Sequence, residues 1–384
     1  MDCDVLVIGA GIHGAGVAQA AAAAGYRTLL LEQYAQPAAG SSSRSSKLVH
    51  GGLRYLESAQ FRLVRECLVE RERLLHNAPH LVTLTPFHIP VYRHTRRRAW
   101  QIRLGLSLYA LLGGKGFQQL PVSAWPGLDG LRTDNLDAVF RYYDAQTDDA
   151  QLTRAVLASA TMLGAEIRYQ CRVERVVCDT DQCSVACQGN DTGGEISTRV
   201  LVNAAGPWVN RVLERTEPLA RSLEIDLVQG AHLVIPGRLS QGMYYLEAPQ
   251  DGRAVFVMPW KDHILLGTTE SLFTGNPEEV RPLDSETSYL LEVYNHYFAQ
   301  TLAAAQVIDA FAGLRVLPRT DHAAFHRSRD TLLHVDRDHC PQVLSIYGGK
   351  LTSYRATAEK VIRQLAPWLP SRQRQADTRT LRLP

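Results

Sequence analysis

The stretch Asp4–Glu32, DVLVIGAGIHGAGVAQAAAAAGYRTLLLE, decides the fold. Val5 to Ile8 is an apolar run with the character of a buried strand. It breaks into Gly9, Gly11 and Gly14 before an alanine-rich helical stretch that Gly25 closes. Thr28 to Leu31 reads as a second buried strand, ending in Glu32. In such a strand–turn–helix unit Gly9 permits the tight turn, Gly11 lets the backbone touch a pyrophosphate, and Gly14 lets the helix pack closely on the strand. The positive end of the helix then faces the phosphates. Glu32 stands where a ribose-binding carboxylate belongs, about 20 residues beyond the glycines. Its charge repels a 2′-phosphate, which disfavours NADP and leaves FAD or NAD. Strand, helix, second strand and acid agree on a Rossmann-type adenine-dinucleotide site.

At 384 residues the chain can bury one large core or two domains. A hydrophobic content of 45% and a charged content of 21% are those of a soluble globular protein. A net charge of +2 gives no global attraction to nucleic acid, and no nucleic-acid partner is expected. No signal segment precedes the first strand, so a cytoplasmic protein is expected. No apolar run approaches the roughly 18 residues of a membrane span. The seven cysteines lack a CxxC pair, which favours reduced thiols in a reducing compartment. Four of them crowd between Cys171 and Cys187, where a strand (Val173–Cys178), a polar turn (Asp179–Gln182) and a second strand read as a hairpin. Cysteines there serve as small apolar residues, and no metal site is expected.

Beyond Glu32, the Gly- and Ser-rich loop Gln36–Ser46 runs into LVHGGLRYLES, where His50, Arg54 and Tyr55 surround Gly51-Gly52. Those groups suit a backbone that approaches a flat ring and presents donors to an anion. Gln60–Asn77 has helical spacing, and Phe87–Tyr92 reads as a strand. Residues 93–114, RHTRRRAWQIRLGLSLYALLGG, place Arg96, Arg97 and Arg98 ahead of Trp100 and a run of leucines. This reads equally as a helix lying in a membrane interface or as one packed on its own domain or a dimer partner. Val139–Tyr143 is a strand, and Asp148 or Asp149 caps a helix running to about Met162. Val200–Ala204 is a buried strand leading into AAGPWVN, where Ala205 and Gly206 suit another close backbone approach to a cofactor. Ile225–Ile235 (with His232 inside it), Ala254–Trp260 and Ile264–Thr269 are strands, and Glu286–Phe298 is helical. FAGLRVLPR (311–319) and SIYGGKLTSYR (345–355) each set glycine beside a cation, and the second leads into a C-terminal helix.

The expected class is therefore α/β (α+β overall): a Rossmann-type dinucleotide-binding domain with a discontinuous, strand-rich mixed-sheet substrate domain. Residues 1–80, 149–220 and 305–384 are assigned to the first, and 81–148 with 221–304 to the second.

The blocks SSRSSKLVHGGLRYLE, FRLVRE, LVERERLL, APHL, VNAAGPWV, LLGTTE and SIYGGKLTSYR, in this order, carry a resemblance. The chain resembles the FAD-dependent glycerol-3-phosphate dehydrogenases, a branch of the D-amino-acid-oxidase-like flavoproteins, from Val5 to about Leu365. The resemblance implies FAD, oxidation of sn-glycerol 3-phosphate to dihydroxyacetone phosphate, a quinone acceptor, and peripheral attachment to the inner face of the cytoplasmic membrane through residues 93–114. A homodimer is allowed for. Three features depart from the family pattern: its C-terminal helical domain is missing, its GTTD is GTTE with Glu270, and its Arg-Pro is Arg315-Val316. The missing domain leaves oxidation of another small amine or 2-hydroxy acid as the alternative.

Oxidising a secondary alcohol with flavin needs a hydride acceptor and a base for the hydroxyl proton, and a phosphorylated substrate needs cations. His50 and His232 are the candidate bases, because histidine titrates near neutrality. Arg315 and Lys350 stabilise developing charge, while Arg54, Tyr55 and Arg329 bind substrate. For FAD, Gly9, Gly11, Gly14 and Glu32 hold the adenosine and pyrophosphate end, and Ser42, Ser43, Ser46 and Lys47 add donors. The resemblance further implies adenine contact at the Val173 backbone. Ala205 and Gly206 approach the cofactor after the central strand, and Gly349, Lys350, Leu351 and Thr352 lie at the mouth of the last helix, whose positive end favours negative charge on the reduced ring.

Overall fold

The computed structural model of the protein describes residues 1–113, 115–189, 193–319 and 331–384. Its helices are α1 (Ile12–Ala23), α2 (Phe61–Asn77), α3 (Ala99–Gly113), α4 (Asp149–Met162), α5 (Val209–Leu213), α6 (Asp284–Tyr297) and α7 (Tyr354–Leu365).

Cys3–Ile8 sits at the centre of a nine-stranded sheet, parallel to Thr28–Leu31 on one side and to Gly194–Asn203 on the other. Glu166–Arg168 extends the first side. Gly194–Asn203 divides its outer edge. Its first half pairs antiparallel with Cys183–Gln188, and its second half runs parallel to Val343–Tyr347. The apolar run of the opening is thus buried from both faces, as a central parallel strand must be. α1 has no polar face because it needs none: every residue from Gly14 to Ala23 is buried. It lies between α4 and α7, with the Gln19 amide donating to Ser159 Oγ of α4 at 2.8 Å. A Cβ on Gly14 would run into the Gly9 carbonyl oxygen, and one on Gly16 would come within 2.7 Å of the Tyr354 ring on α7.

The second sheet has ten strands and is mostly antiparallel. Ile225–Ile235 pairs with His263–Gly267, and the order continues through Ala254–Trp260, Met243–Glu247, Val82–Tyr92 and Leu136–Thr147 to Leu48–Val49. One face packs on α6 through Leu290, Tyr294 and Tyr297, and the other on α2 and α3 through Val64, Leu68, Ile102 and Leu106. Asp148 caps α4, accepting the Gln151 N–H at 3.0 Å. α2 is tied to α7 by buried charge: Arg355 reaches Glu70 at 2.7 Å, with Arg73 and Glu359 completing the cluster. Removing one partner from such a buried pair strands the other charge.

Two sequence expectations are corrected. Asp309–Pro318, which carries the glycine and cation of the stretch 311–319, is a strand pairing with Ile225–Ile235 along its whole length. Gly313 and Arg315 interrupt its apolar alternation, which hides the strand pattern. Consequently Asp309–Pro318, and Leu48–Val49 as well, belong to the second sheet although the division above counts them with the first. The four crowded cysteines are not all thiols: Cys178 and Cys183, opposite one another across the hairpin, form a disulfide, whereas Cys171 and Cys187 are buried thiols. The segment after α7 continues past the helix. It returns along the nucleotide-binding sheet, where Arg372 pairs with Asp4 at 2.9 Å and the N–H groups of Gln375 and Leu383 donate to the carbonyls of Ala23 and Asn77.

Candidate active site

Both sheets contribute to one elongated cavity of about 360 Å³. Its floor at one end is the turn between Cys3–Ile8 and α1. A Cβ on Gly9 would come within 2.8 Å of the Ala204 carbonyl oxygen, and Gly9 has φ +101°, so the turn requires glycine. Gly11, Glu32, Ser42, Val173, Ala205 and Gly206 line this end. Glu32 is 6% exposed; its carboxylate accepts the Ala10 N–H at 2.6 Å and the Tyr34 N–H at 3.0 Å. Burial pushes its pKa up, and those backbone donors oppose the shift. Ser42 Oγ accepts the Ile12 N–H at 2.9 Å, satisfying one of the donors at the start of α1.

At the other end stand Ser46, His50, Tyr55, His232, Arg315, Gly349, Lys350, Leu351 and Thr352. His232 is buried, receives or gives a hydrogen bond with Ser46 Oγ at 2.9 Å, and stacks on Phe311 with ring centres 5.1 Å apart. Burial, with the Arg315 and Lys47 cations adding to it, lowers its pKa to about 3, so the imidazole is neutral. The His50 N–H donates to Thr352 Oγ1 at 3.0 Å, which ties the loop after Leu48–Val49 to the mouth of α7. Lys350 Nζ lies 3.8 Å above the Tyr55 ring, buried and without a hydrogen-bond acceptor among the described residues. Arg315 reaches Glu270 and Thr268 Oγ1, each at 3.4 Å, and Glu270 also pairs with Arg253 at 2.9 Å. The residue by which GTTE departs from GTTD therefore fixes the direction of a cavity arginine.

Some expected residues lie elsewhere. Gly14 works beneath the cavity, in the contact of α1 with its strand. Ser43 turns back to the Gly40 carbonyl at 3.3 Å. Arg54, in the one-turn helix Leu53–Leu56, does not line the cavity. Lys47 is 4% exposed and committed to Asp149 at 2.6 Å, with the Trp260 and Phe311 rings about its ammonium. It stands outside the cavity lining, in a buried ion pair whose carboxylate offsets the desolvation of the ammonium. Arg329 lies outside the described residues.

The cavity also holds groups that the sequence reading passed over: His13, Tyr34, Arg44, Trp208, Arg211 and Arg215. Tyr34 and Trp208 meet edge to face 6.0 Å apart beside Glu32, a surface suited to a nucleobase. Position could have exposed Tyr34, two residues past the ribose acid, and His13, inside the glycine motif. Nothing local marks Arg211 or Arg215.

These groups fit FAD. The glycine turn and the start of α1 offer donors to a diphosphate, Glu32 suits a ribose diol, and the buried Lys350 ammonium calls for an electronegative partner in the cavity. Among the described residues no cluster of three metal-ligating side chains occurs.

Comparison with known proteins agrees. Residues 4–355 match the family of FAD dependent oxidoreductases. The chain is 38% identical over 381 residues to the aerobic glycerol-3-phosphate dehydrogenase of Escherichia coli, covering 95% of this chain and 74% of that protein. It is also 38% identical over 379 residues to the D-erythritol 1-phosphate dehydrogenase of Brucella abortus, covering 96% and 74%. The crystal structure of the glycerol-3-phosphate dehydrogenase from Bacillus halodurans complexed with FAD superposes with a TM-score of 0.76 at 28% identity, covering all of this chain and 68% of that one.

The placement of Lys47 is testable. Lys47→Met leaves Asp149 buried and uncompensated and should lower stability in urea unfolding by about 3 kcal/mol, while the FAD affinity of the folded variant stays near that of wild type. A variant of normal stability with FAD affinity reduced tenfold would return Lys47 to the cofactor.

Proposed function

Because this chain belongs to the FAD dependent oxidoreductases, and within them to the glycerol-3-phosphate dehydrogenases, we propose that it oxidises sn-glycerol 3-phosphate to dihydroxyacetone phosphate. The observation that carries the substrate reading is the convergence of Arg315, neutral His232 and Lys350 at one end of the FAD cavity. FAD, when bound, supplies the acceptor for the hydride of the secondary carbinol. Gly9, Gly11, Glu32, Ser42, Gly206 and the Tyr34–Trp208 pair would hold its adenosine diphosphate portion, and Gly349, Leu351 and Thr352 the ring portion.

Arg315, held by Glu270 and Thr268, offers its planar fork to the phosphate dianion. His232 takes the hydroxyl proton: it is uncharged at neutral pH, and substrate phosphate arriving beside Arg315 offsets the cations that lower its basicity. His50 orients the substrate with Tyr55, and Lys350 stabilises the oxygen from which the proton leaves. Arg54 and Arg329 remain candidates for the phosphate from their place in the family blocks.

The similarity to a D-erythritol 1-phosphate dehydrogenase gives a second reading, a longer phosphorylated polyol. Anaerobic mixing separates the readings. Rapid bleaching of bound FAD by glycerol 3-phosphate is expected. Bleaching by D-erythritol 1-phosphate alone moves the substrate class, and bleaching only by sarcosine or D-amino acids overturns the phosphate reading. His232→Gln should lower kcat by 10²- to 10⁴-fold with FAD retained; an equal effect at His50→Gln only would exchange their roles.

We further propose that electrons pass to a quinone and that α3 lies on the inner face of the cytoplasmic membrane. Trp100, Leu104 and Leu111 are 66%, 64% and 81% exposed on one side of this helix, while Ile102, Leu106 and Tyr109 face the core. Among the described residues no helix is long and apolar enough to cross a membrane. The arginine triplet supports docking less than expected. Arg97 pairs with Glu57 and Glu247, and the Arg96 guanidinium reaches the Asp251 carbonyl. The apolar stripe is the stronger support. Leu104→Asp with Leu111→Asp should abolish cosedimentation with anionic phospholipid vesicles. Cosedimentation equal to wild type removes the membrane reading, and a dimer dissolved by the same change would assign the face to a second copy.

A further inference from the structure

His232 is assigned the substrate proton, yet neither of its ring nitrogens is open to a substrate hydroxyl. Nδ1 is inaccessible and has no hydrogen-bond partner among the described residues. Nε2 is engaged by Ser46 Oγ at 2.9 Å. Phe311 lies nearly parallel to the ring, at 16°, with centres 5.1 Å apart, and covers one face. Gly267 closes the edge beside Nε2, where a Cβ would come within 2.9 Å of that nitrogen. The ring is thus wrapped by protein, and the polar atom that stands against its one engaged nitrogen is a serine hydroxyl.

Ser46 lines the cavity and is partly exposed. Its neighbours in sequence fix its position. The Ser45 N–H and hydroxyl donate to one oxygen of the buried Asp149 carboxylate at 2.9 and 2.6 Å, and Lys47 Nζ reaches the other oxygen at 2.6 Å. Anchored on both sides, Ser46 holds its hydroxyl between the cavity and His232. A hydroxyl is donor and acceptor at once, so it accepts one proton while giving up another. That is the property a buried imidazole needs in the group that separates it from a substrate.

We propose that Ser46 is a catalytic residue, the relay through which the substrate hydroxyl gives its proton to His232. In the tautomer with its proton on Nδ1, His232 Nε2 accepts the Ser46 hydroxyl. The hydride of the carbinol leaves with its electron pair to bound FAD. At the same centre the substrate O–H bond breaks, and its proton bonds to Ser46 Oγ. The proton that Ser46 carried passes to Nε2. The carbinol has become a ketone, Ser46 is again a neutral hydroxyl, and the positive charge rests on the imidazole. This relay rests on the function proposed above and adds to it the residue that meets the substrate hydroxyl ahead of His232.

Anaerobic mixing of FAD-loaded protein with saturating glycerol 3-phosphate, read by flavin bleaching, tests the relay beside a titration of apoprotein with FAD. Ser46→Ala should slow bleaching about 10²-fold or more and leave FAD affinity near that of wild type. Ser46→Thr, which keeps the hydroxyl, should restore most of the rate. The double variant Ser46→Ala with His232→Gln should be no slower than His232→Gln alone, because residues that act as a unit do not lose rate additively. Losses that multiply in the double variant overturn the relay. So does wild-type bleaching by Ser46→Ala beside a slow His232→Gln, an outcome that leaves the proposed function standing. Weakened FAD affinity with wild-type bleaching at saturating FAD makes Ser46 a cofactor donor instead. If Ser46→Ala does not fold, Ser46→Val is compared with Ser46→Thr, which has its shape, and equal rates for the two overturn the relay. Wild-type protein left unbleached by both glycerol 3-phosphate and D-erythritol 1-phosphate overturns the reading on which it rests.

Discussion

The contact on which the rest of this structure depends is between two pieces of backbone, at Gly9 and Gly14. The carbonyl of Gly9 occupies the space that a Cβ on Gly14 would need, so α1 begins directly against the end of the strand Cys3–Ile8. That approach sets the direction of α1, aims its first N–H groups into the cavity, and brings the Gly9 turn against Ala204 and Ala205. Glu32 then closes the arrangement by accepting from Ala10, within the turn itself, at 2.6 Å. A charge-assisted bond of this length in a buried setting holds the loop and the acid in one geometry. Its carboxylate is therefore already oriented by protein when a ribose arrives.

From this fixed point, distant parts of the chain are drawn together. The loop after Thr28–Leu31 enters with Ser42, which caps α1, and continues through Lys47, whose ammonium is buried on Asp149 at the start of α4. Ser46 between them reaches His232 in the second sheet. One short segment thus ties the nucleotide-binding sheet to the sheet that presents His232 and Arg315. The mouth of α7 makes the remaining tie, through Thr352 to the backbone of His50. The cavity is a seam between the two sheets, and these hydrogen bonds join its two sides.

The architecture was legible where one residue's neighbours in sequence decide its environment. The first strand, α1 and Glu32 could be read because glycine spacing, apolar runs and a terminal acid describe local geometry. The start of α4 could be read from Asp148 for the same reason. What depends on pairing partners far along the chain could not. Asp309–Pro318 is a strand because Ile225–Ile235 lies beside it, and its own Gly313 and Arg315 argue otherwise. Lys47 has the sequence context of a phosphate ligand, and only the arrival of Asp149, about a hundred residues later, determines where its charge goes. Arg211 and Arg215 enter the cavity because α5 and the strand after it follow Gly206, a consequence of topology that no local motif announces. The disulfide is a matter of register: Cys178 and Cys183 must face each other across the hairpin, which spacing alone does not establish.

The charge along the cavity has an order that follows from these placements. Arg44, Arg211 and Arg215 line it with the glycine turn, where a diphosphate would add negative charge, and Arg315 and Lys350 stand at the other end. Between and beside the latter are imidazoles that the fold keeps uncharged, His13 by burial and His232 by burial together with neighbouring cations. The second end therefore offers positive charge at fixed points and neutral polar nitrogens around them. Glu270 moderates the field by pairing with Arg315 without entering the cavity. Its carboxylate bridges Arg253 and Arg315, so the arginine is held laterally. In the function proposed above, Arg315 holds the dianion at one point and the uncharged His232 takes a proton nearby. Those are the two requirements that oxidation of a phosphorylated alcohol imposes together.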